Sequence, residues 1–470
     1  MKKTLVFISI CGFVFALSNC KKEKDTPDDT YVPPVGTSVI ASSAQRDNGN
    51  AATGYTYLTS GDYISSGIPY NYYILTPGSN DPANVLGRTG HNATIPPTYT
   101  AVNAPNGVEV VAPNCLQCHG SYLNGSFVVG LGNAAGDFTT DQSNLANTAD
   151  GLINTLGTPQ EKAAYAPFSK SIHAIGPNVV TEVRGVNVAD KVAAVLAAHR
   201  DQHSLVWNDN PTISIPTEVI PTDIPPWWHM KKKNAMFYNG MGRGDFARYL
   251  MASSLLTMVD SSKANEVNEK FPDILAYIKS IQPPAYPQGI DANLASEGKT
   301  IFAGNCAKCH GTYGDGASYP NLLVELTTVG TDPKLANAYN LSIYNVFKDW
   351  FNNGWFGKDP NGAELVPANG YVAQPLDGIW ASAPYLHNGS VPTLEDLLNS
   401  SQRPAYWKRT FADNDYNYTK VGWNYANPGS KTDKETYDVS IDGYGNQGHT
   451  FGDALTTQQR TALIEYLKTL

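Results

Sequence analysis

The tightest constraint on this chain is a five-residue word that it contains twice: Cys115-Leu116-Gln117-Cys118-His119 and Cys306-Ala307-Lys308-Cys309-His310. Two thiols three positions apart, with a histidine directly after them, form the attachment signature of a c-type haem. The spacing follows from the chemistry. Each thiol adds to one vinyl group of the porphyrin, and the next side chain is then placed to reach the iron as its proximal ligand. Six cysteines occur in all; Cys11 and Cys20 belong to the N-terminal leader, so the two words use every other thiol. A zinc ribbon also needs two Cys-x-x-Cys pairs, but typically about 15–20 residues apart, whereas these lie nearly two hundred apart. A redox dithiol needs one pair and no adjacent histidine. The reading is therefore two covalently bound haem c groups, with Cys115, Cys118, Cys306 and Cys309 as attachment points and His119 and His310 as iron ligands.

At 470 residues the chain has room for two domains, and one motif falls in each half. Charged residues are 16% of it, below the roughly 25% usual in soluble domains. The 41 glycines and 31 prolines interrupt regular elements, so the expected fold is mainly α and loop-rich. A net charge of -9 argues against nucleic acid, whose phosphates would be repelled.

Lys2 and Lys3 precede an apolar run from Leu5 to Leu17, too short and wrongly flanked for a spanning helix. Leu17-Ser18-Asn19-Cys20 resembles a lipoprotein cleavage site. Residues 1–19 are then a signal peptide, and 20–42, charged and then Pro-rich, a solvated flexible tether. The expected location is periplasmic or cell-surface, with the membrane touched only through a lipid anchor at Cys20. A soluble periplasmic protein cut nearby is the alternative. Export suits the haems, because c-type attachment takes place outside the cytoplasm.

Apolar periodicity predicts helices over 158–169, 190–203, 245–259, 267–281, 295–305, 341–355 and 456–470. Gln282-Pro283-Pro284 reads as a hinge, which divides an N-terminal haem domain, 43–284, from a C-terminal one, 285–470. Thr456 and Gln459 have capping-box spacing. His199 and His203 are four residues apart, but with Arg200 and Asp201 between them they read as a solvated helix end and not a metal pair. Aromatic and thioether side chains concentrate between 221 and 258. Trp227, Trp228 and Phe237, with Met230, Met236, Met241, Met251 and Met258, are the supply for the far side of the first haem, with ordinary core packing as the alternative. The C-terminal domain, 285–470, contains no methionine. That raises the histidines of two Gly-flanked loops, His387 and His449, as candidates for the second haem's other ligand.

These features together resemble the bacterial di-haem cytochrome c peroxidase superfamily, and within it most nearly the rubber oxygenase-like branch. The residues that carry the resemblance are both haem motifs and the stretch from Trp227-Trp228 to Asp245. With them go the loop Ala383-Pro384-Tyr385-Leu386-His387-Asn388-Gly389-Ser390-Val391-Pro392-Thr393-Leu394 and the segment Asn446-Gln447-Gly448-His449-Thr450-Phe451-Gly452, together spanning about 105–470. The resemblance implies two cytochrome c-like haem domains facing each other. In the peroxidases a methionine ligates iron after the Pro-Tyr-x-His-x-Gly loop; here that place is Ser401. In the rubber oxygenase branch the C-terminal haem has two histidine ligands, which points to His449 as the distal one, with His387 as runner-up. The N-terminal haem there keeps an open position amid aromatics, for which Trp227, Trp228 and Phe237 are candidates, and Trp380 is a candidate for the space between the haems.

Two functions follow. One is an oxidoreductase that activates oxygen or peroxide at the N-terminal haem while the C-terminal haem transfers electrons; its partners would be a small-molecule oxidant or substrate, and a redox partner protein. The other is an electron-transfer cytochrome with both irons six-coordinate.

Overall fold

Helix Ala292–Asn305 and the C-terminal helix Thr457–Leu467 cross so closely that a Cβ on Gly298 would lie 1.9 Å from the carbonyl oxygen of Ala462. Only glycine fits such a crossing. The second helix starts in the expected capping box: Gln459 N donates to Thr456 Oγ1 and Thr456 N to Gln459 Oε1. Phe302 from one helix and Leu463, Ile464, Tyr466 and Leu467 from the other enter one apolar core. This crossed pair carries the second haem motif at its end.

The computed structural model describes residues 32–470 apart from Leu341, so the expected signal peptide and Cys20 lie outside the described residues. The segment expected as tether, 20–42, runs into the strand Thr37–Val39. Residues 34–470 form one compact unit.

The expectation of a mainly α fold is corrected: 36% of the structure is helix and 13% strand. Among the described residues the strands form six small sheets. Strands of two to five residues are too short for a period-two pattern to stand out, and several have partners far away in the chain. Thr37–Val39 and Gly370–Val372 both pair antiparallel with Leu322–Glu325, and Gly242–Gly244 pairs with Ala363–Leu365. Several helices are also shorter than their periodicity suggested. The 267–281 pattern divides into Ser261–Asn268 and Phe271–Ser280, the second opening on Pro272, where proline's missing N–H costs nothing. The 190–203 pattern ends at Ala198, so His199 and His203 do not share a helical face; His199 stacks on Trp207.

Two large cores exchange segments. The core around the first motif includes Leu116, Ile153, Val195 and Phe271, and it takes in Tyr339, Phe347, Trp350, Phe351 and Phe356 from beyond the second motif. The core around the second motif takes in Leu123, Leu131 and Trp228 from the first half. Burying each such large side chain is worth on the order of 1.5–3 kcal/mol, so this exchange is a substantial part of what holds the halves together.

Candidate haem centres

The second motif forms one helical turn, Ala307–His310. It is ended by Gly311 at φ +79°, where a Cβ would lie 2.2 Å from the carbonyl oxygen of Ser318. His310 Nδ1 lies 2.8 Å from the main-chain carbonyl oxygen of Gln374. A carbonyl only accepts, so Nδ1 carries the proton and Nε2 keeps its lone pair. That is the tautomer an iron ligand needs, and the acceptor fixes the ring's orientation. Burial lowers the pKa of His310, which favours the neutral ring.

Facing it is His449. The two ring centres are 6.2 Å apart, with the planes at 61°. Metal–nitrogen bonds of about 2 Å, plus roughly 1 Å from each nitrogen to its ring centre, put two imidazoles on opposite sides of one metal at about 6 Å. The separation fits a single iron between them. Burial, reinforced by His310 and Arg403 nearby, pushes His449 down to about 3, so its ring is also neutral at pH 7. Its buried Nδ1 has no hydrogen-bond partner.

The loop that delivers His449 is built for close approach. Gly448 has φ +75°, and a Cβ there would lie 2.2 Å from the carbonyl carbon of Gly330. His449 N donates to Val329 O at 2.7 Å. The Arg403 guanidinium donates to the carbonyl oxygens of Leu397, Asn446, Gly448 and His449 at 2.6–3.1 Å. Cys306, Cys309, His310 and His449 all line one cavity of about 220 Å³. His387 lines the same cavity, but its ring stacks on Tyr371 at 4.0 Å. The Tyr371 hydroxyl donates to Asp332 O at 2.6 Å and lies 3.0 Å from His387 Nε2. With the hydroxyl proton so placed, His387 Nε2 is the donor of that bond and has no lone pair for iron. Ser401 places its hydroxyl on Asn399 Oδ1.

The first motif, also one helical turn, lies between strands Glu109–Pro113 and Gly120–Leu123. The glycine-rich return after it closes over the motif: Gly130 N donates to His119 O and Asn133 N to Cys118 O, both at 2.8 Å. Trp227 N in turn donates to Gly130 O, which lays the indole flat on His119, with ring centres 4.5 Å apart and planes at 17°. Burial holds His119 at about 3, and its Nδ1 has no hydrogen-bond partner.

A cavity of about 90 Å³ adjoins it, lined by Cys118, His119, Trp227, Met230, Met236 and Phe237. All five candidate methionines belong to the first core, and Met241, Met251 and Met258 do not reach this cavity. Phe237 has φ 66°, a left-handed conformation that costs of order 1–3 kcal/mol in a bulky residue and clusters at functional sites. Buried charge also lines this cavity. Desolvation pushes Asp223 up to about 7, partly offset by the Tyr238 hydroxyl at 2.7 Å. It raises Asp190 to about 6 and lowers Lys233 to about 7.

Of the aromatics expected at the first haem, the structure thus brings Trp227 and Phe237 to His119 and separates Trp228. That indole is buried in the other core, with Nε1 donating to Asp377 O at 2.8 Å. Neighbouring tryptophans on one 3₁₀ turn, Trp227–His229, therefore serve different halves. The residues that follow bind the strap to the second half: Lys232 reaches both carboxylate oxygens of Asp377 at 2.7 Å, and Lys233 reaches Gln374 Oε1. Trp380 packs among Tyr286, Tyr416 and Tyr418, with Nε1 on Pro284 O. Pro226 and Tyr238 are the side chains that line both cavities. Gln374, Asp223, Tyr238 and Arg403 carried no signal in the sequence, because a single carbonyl, acid or guanidinium acquires its role only from what folds against it.

Residues 295–368 match the cytochrome c family, and residues 370–408 match the family described as RoxA-like, cytochrome c-like. With Cys306, Cys309 and His310 inside the first match, the chain contains a cytochrome c-like domain. Its relatives include two uncharacterised proteins of Sinorhizobium fredii (strain NBRC 101917 / NGR234). The chain is similar to y4iM at 30% identity over 300 residues, 54% of this chain and 66% of that protein, and to y4iJ at 28% over 255 residues, 40% of this chain and 41% of that protein. It spans less than two thirds of the length of either relative.

Proposed function

We propose that the protein is a di-haem c-type cytochrome that acts as an oxidoreductase on oxygen or peroxide at the first motif, with the second motif in electron transfer. The asymmetry between the motifs carries this reading. His310 faces a second imidazole, which would leave its iron six-coordinate, whereas His119 adjoins a cavity lined by a strained phenylalanine and half-buried acids. A haem at an open position supplies oxygen or peroxide activation, and the protein controls access and polarity there. His310 and His449 would hold the second iron from both sides, and His119 the first from one. Trp227 fixes the plane of His119, and Phe237 excludes water from the space beside it.

A second reading has a specific observation in its favour. Met230 and Met236 both line the first cavity, and either would make the first iron six-coordinate in a simple electron carrier. Low-temperature EPR of the ferric protein, with optical titration by imidazole and, after reduction, carbon monoxide, separates the two. One high-spin or ligand-accessible haem beside one low-spin haem is the expected result. Two low-spin haems that refuse added ligands in both oxidation states would establish the electron carrier instead.

The leader adds the proposal of export, with lipid attachment at Cys20. Among the described residues no helix is long and apolar enough to cross a membrane. Cys20→Ser is expected to release the protein from the membrane fraction.

A further inference from the structure

Gln374 touches both sites with different atoms. Its main-chain carbonyl accepts from His310 Nδ1 at 2.8 Å, and its side-chain Oε1 accepts from Lys233 Nζ at 2.7 Å. Lys233 Nζ also donates to the main-chain oxygen of Phe237 at 3.2 Å, and Lys233 lines the cavity beside His119. Lys233 is buried, at 7% exposure, and no carboxylate pairs with it among the described ion pairs. Its neighbours in the strap are tied down differently: Lys232 is neutralised by Asp377, and Lys231 lies out on Gln282 Oε1.

We infer that Lys233 and Gln374 are positioning residues that link the two sites, tying the electron affinity of the second haem to a cation housed in the first cavity. The inference rests on the reading of His310 as an iron ligand. Two effects of opposite sign act here, the charge being the larger. A cation fixed in a poorly screened interior disfavours the more positive, ferric state of a nearby iron, and this raises its reduction potential. The Lys233–Oε1 bond also pins Gln374, whose carbonyl sets the orientation and basicity of His310. Loss of the ammonium therefore lowers the potential of the second haem. Loss of the Oε1 anchor keeps the ammonium but slackens the carbonyl's hold on His310, which makes the imidazole a weaker donor to ferric iron and raises the potential.

The experiment is a spectroelectrochemical titration of the intact di-haem protein at pH 6, below the neutral-range pKa of Lys233, with EPR of the low-spin haem. Lys233→Met should lower the potential of the low-spin haem, Gln374→Leu should raise it, and both should shift its g values. The double variant should match Lys233→Met alone, since coupled residues are non-additive. Lys233→Arg should hold the potential near that of the wild type, and Lys231→Met should leave it unchanged. Equal potentials in the wild type and Gln374→Leu, or strictly additive shifts in the double variant, would overturn the link. If Lys233→Met fails to fold, Gln374→Leu and Lys233→Arg still decide. Failure of the underlying reading looks different: the wild type itself would lack a low-spin, two-imidazole EPR signal.

Discussion

The two haem motifs are the same word in the same local shape, a single helical turn, yet they face opposite circumstances. His310 gives its Nδ1 proton to the Gln374 carbonyl and faces the His449 ring at 6.2 Å. His119 has no acceptor at Nδ1, lies flat on Trp227, and adjoins a cavity with Phe237, two thioethers and two half-buried carboxyls. The comparison separates two kinds of information. The five-residue word dictates covalent attachment and the first axial ligand. What faces each motif's histidine belongs to whichever distant segment is folded against it: a loop some 140 residues later for His310, and the 227–238 segment for His119.

The largest test of the comparison is whether both motifs are loaded. Replacing Cys115 and Cys118 by serine should halve the haem content measured by pyridine haemochrome per mole of protein, and so should replacing Cys306 and Cys309. An unchanged content in the first variant would remove the di-haem reading. Next in size is the ligand on the far side of the second iron. His449→Ala should turn one low-spin haem high-spin, while His387→Ala should leave spin state alone, because that ring is committed to Tyr371. The reverse outcome would exchange their roles. Smaller again is the loop that delivers His449. Gly448→Ala puts a Cβ 2.2 Å from Gly330 backbone at φ +75°; strain of about 1–3 kcal/mol should lower the denaturant midpoint and weaken the low-spin signal.

The smallest effect concerns the first cavity and pH. Asp223 titrates near 7 in the folded chain against an ordinary 3.8. Between those values the folded chain holds a proton that the unfolded chain has lost. The group's contribution therefore favours folding at low pH and declines as pH rises through about 7. Asp223→Asn keeps a neutral side chain and should flatten the fall in Tm between pH 5 and 8. A parallel fall in both proteins would mean that Asp223 is not desolvated as its position implies.

Much of the second half was legible because its signals are local. The capping box at Thr456 and Gln459 and the apolar stripe of the last helix act within a few residues. The strands were not legible: Thr37–Val39 makes its bonds with Leu322–Glu325, and nothing within three residues of strand announces a partner that distant. Trp227 and Trp228 show the same limit at the site. The sequence brings both to attention as a pair, and only the turn they occupy sends one to His119 and the other to the opposite core.

What the sequence by itself determined is the attachment signature: four thiols and two histidines at the spacing that a haem's vinyl groups and iron require. It also marked His449, through the absence of methionine from the C-terminal domain and through the glycine beside it. Tertiary structure alone decided that His449 and not His387 stands across from His310, that Trp227 and not Trp228 covers His119, and that Gln374 lies between the sites. Those outcomes depend on which carbonyls, rings and charges come within 3–6 Å of each other, and such distances exist only after the chain has closed on itself.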